Sequence, residues 1–122
     1  MKVLLCSLAI VILTMTLFPT PPALAENPKT VDITIRNGQV VGKKSVRVTR
    51  GDTVVLRWRS DQPLELHLHG YDLTATVKPG TPAEMKIVAR ATGRFPVEVH
   101  GESSTSGGHG HKALFHLEVY PD

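Results

Sequence analysis

The chain has 122 residues, with six histidines, one cysteine and a formal net charge of +3 at neutral pH. Its 14 basic residues are dispersed along the sequence, which argues against a protein that binds nucleic acid. This length is sufficient for one domain with a modest hydrophobic core.

The first 25 residues have the pattern of a secretory signal peptide. Lys2 supplies the positive start, an apolar run extends from Val3 to Phe18, and the segment ends in the small-x-small pattern Ala23-Leu24-Ala25. The run is shorter than the roughly 20 residues that span a bilayer. We therefore predict cleavage after Ala25, export to the periplasm or the extracellular space, and a single domain over residues 26–122.

The predicted mature chain contains no cysteine, because Cys6 lies within the signal peptide. It can therefore form no disulfide, either within the domain or with a partner. Exported domains of this size often depend on disulfides. We expect the stability of this one to come from a packed core, to which a bound metal ion would add.

Short segments of alternating apolar and polar residues recur along the predicted domain, and none has a sustained helical period. Turn residues separate them, as at Arg36-Asn37-Gly38 and Lys78-Pro79-Gly80. Seven to nine short strands at this spacing predict an all-β fold, an antiparallel sandwich or barrel. The predicted strands are Val31–Ile35, Gln39–Val41, Ser45–Thr49, Thr53–Arg59, Leu64–His69, Asp72–Val77, Glu84–Ala89, Phe95–His100 and Ala113–Tyr120.

The alternation also predicts which side chains face the core, since neighbouring residues of a strand point to opposite sides. His67, His69 and His100 are then expected to point away from the core. The low-complexity segment from Gly101 to His111 is predicted to be a mobile loop between the last two strands. The predicted inward residues around the histidines are Leu64, Leu66, Leu68, Phe95, Val97 and Val99.

Five of the six histidines lie at strand ends or in the Gly-rich loop: His67, His69, His100, His109 and His111. Two histidines at i and i+2 of one strand face the same way, about 6–7 Å apart, so both can bind one ion. Neutral imidazole is a strong ligand for copper(II) and zinc(II), and copper has the highest affinity in the divalent series. The pattern therefore predicts a metal site built from some three of the five.

Each of these residues also has a purely structural interpretation. A lone histidine on a strand is usually a surface residue, which is our interpretation of His116, and a histidine-containing loop can simply be solvated. The acidic residues near the site, Glu65, Asp72 and Glu98, are interpreted as hydrogen-bond acceptors or solvated side chains rather than general bases. Because no catalytic motif occurs, we expect a protein that is not an enzyme, with a copper or zinc enzyme as a less favoured alternative.

Five segments, in this order, resemble a cupredoxin domain over nearly the whole mature chain. They are VTRGDTVVLRW (Val48–Trp58), HLHGYDL (His67–Leu73), VKPG (Val77–Gly80), ATGRFPVEVH (Ala91–His100) and LFHLEVYP (Leu114–Pro121). The chain looks like the small periplasmic cupredoxin-like proteins, which are related to the copper domain of cytochrome oxidase subunit II. The resemblance implies a Greek-key sandwich, with the first ligand position at His67 or His69 and a second at His109 or His111, near one another at one end.

The sequence departs from electron-transfer cupredoxins at the position of their cysteine ligand, which Val99 occupies here, followed by His100. A blue copper centre requires that thiolate, so the electron-transfer function does not carry over. We predict instead a histidine-rich, sulfur-free site for Cu(II), with zinc as a competitor. The protein would handle, sequester or deliver copper to another exported or membrane protein; the alternative is a metal-free cupredoxin scaffold that acts as a protein-interaction module.

Overall fold

The computed structural model describes residues 27–100 and 113–122, so the predicted signal peptide and the loop histidines His109 and His111 lie outside the described residues. All nine predicted strands occur, and the described residues contain no helix, hence none long and apolar enough to cross a membrane. The strands are β1 (Lys29–Arg36), β2 (Gln39–Val41), β3 (Ser45–Thr49), β4 (Thr53–Ser60), β5 (Leu64–Leu68), β6 (Leu73–Val77), β7 (Ala83–Val88), β8 (Gly93–His100) and β9 (Phe115–Tyr120).

The strands form two sheets of a cupredoxin-like sandwich, which confirms the predicted fold class. One sheet has the order β2-β1-β4-β7, and the other has the order β3-β9-β8-β5-β6. Most neighbouring strands are antiparallel, but the pairs β1–β4 and β3–β9 run parallel. In both pairs the chain passes through other strands before the second partner, because parallel neighbours need a crossover rather than a hairpin.

Alternate residues of the strands fill one hydrophobic core between the sheets. Leu56 and Trp58 of β4 and Leu66 of β5 are completely buried, and burial of a large apolar side chain contributes about 1.5–3 kcal/mol to stability. Trp58 meets the ring of Phe115 edge to face, with the ring centroids 5.5 Å apart, and so joins β4 to β9 across the sandwich. Val99, which was predicted to face the core, is 37% exposed because it lies near the end of β8, at the margin of the core.

The turn after β5 is fixed against β8 by aromatic packing. Gly70 has a φ of +86°, and a Cβ atom there would lie 2.5 Å from Cδ1 of Phe95. On the same ring, Tyr71 packs edge to face, with the centroids 4.8 Å apart. Only glycine allows this close approach, so the residue next to His69 ties the end of β5 to its neighbour.

The substitution Gly70→Ala is expected to lower the free energy of unfolding by about 3 kcal/mol, because it combines a strained positive φ with overpacking against Phe95. Gly42→Ala is the matched control, since Gly42 also has a positive φ, +92°, but no atom lies within 4 Å of the added carbon. It should cost only about 1 kcal/mol. Denaturant unfolding measures both losses, and equal losses would show that the contact with Phe95 does not constrain the turn.

Candidate metal centre

The three described histidines of the predicted site lie on two adjacent strands. His67 belongs to β5, His69 follows its last residue, and His100 ends β8. In the antiparallel register of these strands, His67 is opposite Glu98 and His100 is opposite Glu65. All of these side chains lie on the outer face of the five-stranded sheet, because the alternate positions of β5 are buried in the core.

The three imidazoles converge on one point of this face. The ring of His67 lies 4.3 Å from that of His69 and 5.2 Å from that of His100, measured between centroids. One nitrogen from each ring lies within 4.8 Å of the others. Two nitrogen ligands of one ion are about 3–4 Å apart, so small side-chain rotations suffice to place all three around an ion.

His67 is the central member of the group, and the other two lean toward it. The register places His69 and His100 four residues apart along the strands, which corresponds to about 13 Å between their backbones. Their ring nitrogens can approach as closely as they do only if both side chains lean along the outer face toward His67. The group therefore lies across the outer face of the sheet, with His67 at its centre.

His67 provides the observation that best fits a metal ion. Its side chain is only 18% exposed, and its Nδ1 atom is buried with no hydrogen-bond partner among the described residues. A buried nitrogen without a partner costs about 1–3 kcal/mol. A bound ion would give this nitrogen a partner and remove the cost. The donor set, three imidazoles without sulfur, suits Cu(II) and Zn(II).

Two of the three acidic residues singled out in the sequence, Asp72 and Glu98, contact the imidazoles. Nε2 of His67 lies 3.2 Å from Oδ1 of Asp72, a residue that the turn after β5 holds at a φ of +53°. If Nε2 of His67 donates its hydrogen to Asp72, the lone pair remains on the buried Nδ1. Nε2 of His69 lies 2.9 Å from Oε2 of Glu98, and the His69 backbone N–H donates to the carbonyl of Pro96.

His116 lies on the same face but outside the group. It is opposite Pro96 in the register of β8 and β9 and is partly buried rather than fully exposed, and a guanidinium N–H of Arg94 donates to its Nδ1 at 3.4 Å. Burial lowers the pKa of His116, the charge of Arg94 lowers it further, and Glu118 opposes both effects. The predicted contribution of His109 and His111 to the metal site stays a prediction, because they lie outside the described residues.

Sequence reasoning did not find the contacts that orient the imidazoles. The approach of His69 to Glu98 depends on the register of β5 against β8, which two segments about 30 residues apart do not reveal by their own patterns. The glycine in the His69-Gly70 pair was a visible signal for a turn, but its contact with Phe95 was not.

No model of a known protein family and no curated protein sequence matches the chain. Solved structures nevertheless share its fold. A chain of a heme-copper terminal oxidase dimer aligns with a TM-score of 0.60 and 21% identity, over 85% of this chain and 76% of that one. A copper-binding protein in its apo form aligns with a TM-score of 0.56 and 9% identity, over 75% of this chain and 86% of the other.

A third similar structure is the periplasmic domain of subunit II of cytochrome oxidase from Bradyrhizobium japonicum. Its TM-score is 0.54 at 15% identity, with 77% of this chain and 85% of that domain covered. At these identities the comparisons establish the cupredoxin-like fold, and fold alone does not determine the site or its activity.

The pKa of His116 is expected to lie below 6.5, the ordinary value for this residue. As the pH falls through 6.5, the unfolded chain then takes up a proton at this residue before the folded protein does, so the contribution of His116 to stability decreases. An NMR titration of the ring protons gives the midpoint, and Arg94→Gln should move it back toward 6.5. A midpoint above 6.5 would contradict the assignment of burial and Arg94 as the dominant influences.

Proposed function

We propose that this is an exported copper-binding protein that holds Cu(II) through His67, His69 and His100. The observation that carries the proposal is the convergence of three imidazole nitrogens within 4.8 Å, around a histidine whose buried Nδ1 has no partner in the described part of the chain. The predicted loop histidines, His109 and His111, would add to this set from the segment that follows β8. The site would contain no sulfur ligand.

The chemistry of the donors supports a divalent transition metal, with copper preferred over zinc. Imidazole nitrogen and carboxylate oxygen suit both ions, and copper(II) stands highest in the divalent affinity order. The only sulfur in the described residues belongs to Met85, which is buried in the core on β7 of the opposite sheet. The similar structures include a copper-binding protein, which favours copper, and zinc would compete for the same nitrogens.

The position of the site favours handling, sequestration or delivery of copper over catalysis or electron transfer. His69 is 41% exposed and His100 is also exposed, so an ion at this face would be open to solvent. Such a site allows ligand exchange with another protein, whereas a blue copper centre needs a thiolate. Val99 stands where the resemblance places that thiolate.

The N-terminal sequence and the comparisons support a location outside the cytoplasm. The signal-peptide pattern of residues 1–25 supports export, and one of the similar structures is a periplasmic domain. We propose that the protein works in the periplasm or outside the cell, and that another exported or membrane protein receives the copper.

Titration of Cu(II) into the metal-free protein, followed by visible and electron spin resonance spectra, tests the proposal. We expect one equivalent to bind with submicromolar affinity and with nitrogen hyperfine coupling. The double variant His67→Ala/His69→Ala and the single variant His100→Ala each lack ligands of the proposed site. Each variant should bind copper more than about 100-fold more weakly. The matched control is His116→Ala, on the same sheet face but outside the group, which should leave the affinity unchanged.

Weak binding, or binding that the site variants do not change, would overturn the proposal. The protein would then fit the metal-free scaffold, and its partner should still bind in the presence of a chelator. Thermal unfolding of each metal-free variant separates loss of ligands from loss of fold.

A further inference from the structure

The imidazoles have carboxylates as close neighbours. Oε2 of Glu98 lies 2.9 Å from Nε2 of His69, and Oδ1 of Asp72 lies 3.2 Å from Nε2 of His67. Glu98 is also directly opposite His67 in the register of β5 and β8, so the two residues are cross-strand neighbours on the outer face of the sheet. An ion held by the three imidazoles would therefore be within a few ångströms of negative charge.

The third acidic neighbour is Glu65. It lies opposite His100 on the adjacent strand, which places the two side chains on the same face, about 5 Å apart at their Cβ atoms. Each imidazole of the group thus has an acidic residue as a neighbour. Glu65 and Glu98 lie on β5 and β8, and Asp72 lies in the turn after β5.

These carboxylates differ in how strongly water screens their charge. The Glu98 side chain is only 14% exposed, whereas that of Asp72 is 98% exposed and Glu65 is exposed as well. Charges at the surface interact weakly because solvent and salt screen them, while partly buried charges are screened much less. Glu98 is therefore the carboxylate that contributes most to the electrostatic potential at the site.

We propose that Glu98 makes the site selective for doubly charged metal ions over singly charged ones. The proposal rests on the proposed function, because it assumes that His67, His69 and His100 hold the ion. Imidazoles are neutral when they bind a metal, so they contribute no net charge. The interaction of a carboxylate with an ion is proportional to the charge of the ion, so Glu98 favours Cu(II) and Zn(II) over Cu(I).

The test compares the affinities of the purified protein for Cu(II), Zn(II) and Ag(I), with silver as a redox-inert ion of the same charge as Cu(I). Glu98→Gln keeps the size of the side chain and one acceptor oxygen but removes the charge. We expect the affinity for each of the two divalent ions to fall about 100-fold. This is the upper end of the losses in affinity caused by replacing residues that support metal ligands. Because the energy scales with ionic charge, the loss for Ag(I) should be about 10-fold.

Three further variants test whether the effect of Glu98 depends on its charge and on its position beside the histidines. Glu98→Asp retains the charge and should preserve the ratio of divalent to silver affinity, even where both affinities fall. Glu65→Gln should change the divalent affinity by about threefold or less, because the Glu65 side chain is exposed and its charge is screened. Glu84→Gln makes the same change of charge on the other sheet, where Glu84 pairs with Arg57, and should leave all three affinities unchanged.

Equal losses for all three ions in Glu98→Gln, or no loss for any of them, would overturn the selectivity while leaving the histidine site intact. If the unsubstituted protein binds none of the ions, the proposed function fails, and the inference fails with it. A tenfold fall in the ratio of Cu(II) to Ag(I) affinity, without a change in the thermal stability of the metal-free protein, is the result that supports it.

Discussion

The antiparallel pairing of β5 with β8 is the constraint on which the candidate site depends. Leu66 and Leu68 are completely buried, and because side chains alternate along a strand, their burial turns His67 outward. The same register sets Glu98 beside His67 and brings His100 within reach of it. A shift of one residue would exchange the faces and place imidazoles in the core, so the packing that stabilises the sandwich also assembles the site.

The three imidazoles lie on the outer face of one sheet of a sandwich that other solved structures share. These include a copper-binding protein and the periplasmic domain of subunit II of a cytochrome oxidase. The turn at Gly70 and the ring of Phe95 hold the end of β5 on β8. Under the proposed function, the exposure of His69 and His100 on this face would allow a bound ion to be passed to another protein.

Much of the fold could be predicted from the sequence, because local patterns determine strands and faces. All nine strands and the outward orientation of His67 followed from a period of two. The parallel pairs β1–β4 and β3–β9 did not, because the pattern of one strand carries no information about which strand lies beside it. For the same reason the contact of His69 with Glu98 could be found only once the register was known.

Paramagnetic broadening of amide NMR signals by Cu(II) shows where on the protein the ion binds. At substoichiometric copper, signals of His67, His69, Glu98 and His100 are expected to disappear first, while those of the four-stranded sheet remain sharp. Uniform broadening, or broadening centred away from β5 and β8, would show that the three imidazoles do not hold the ion.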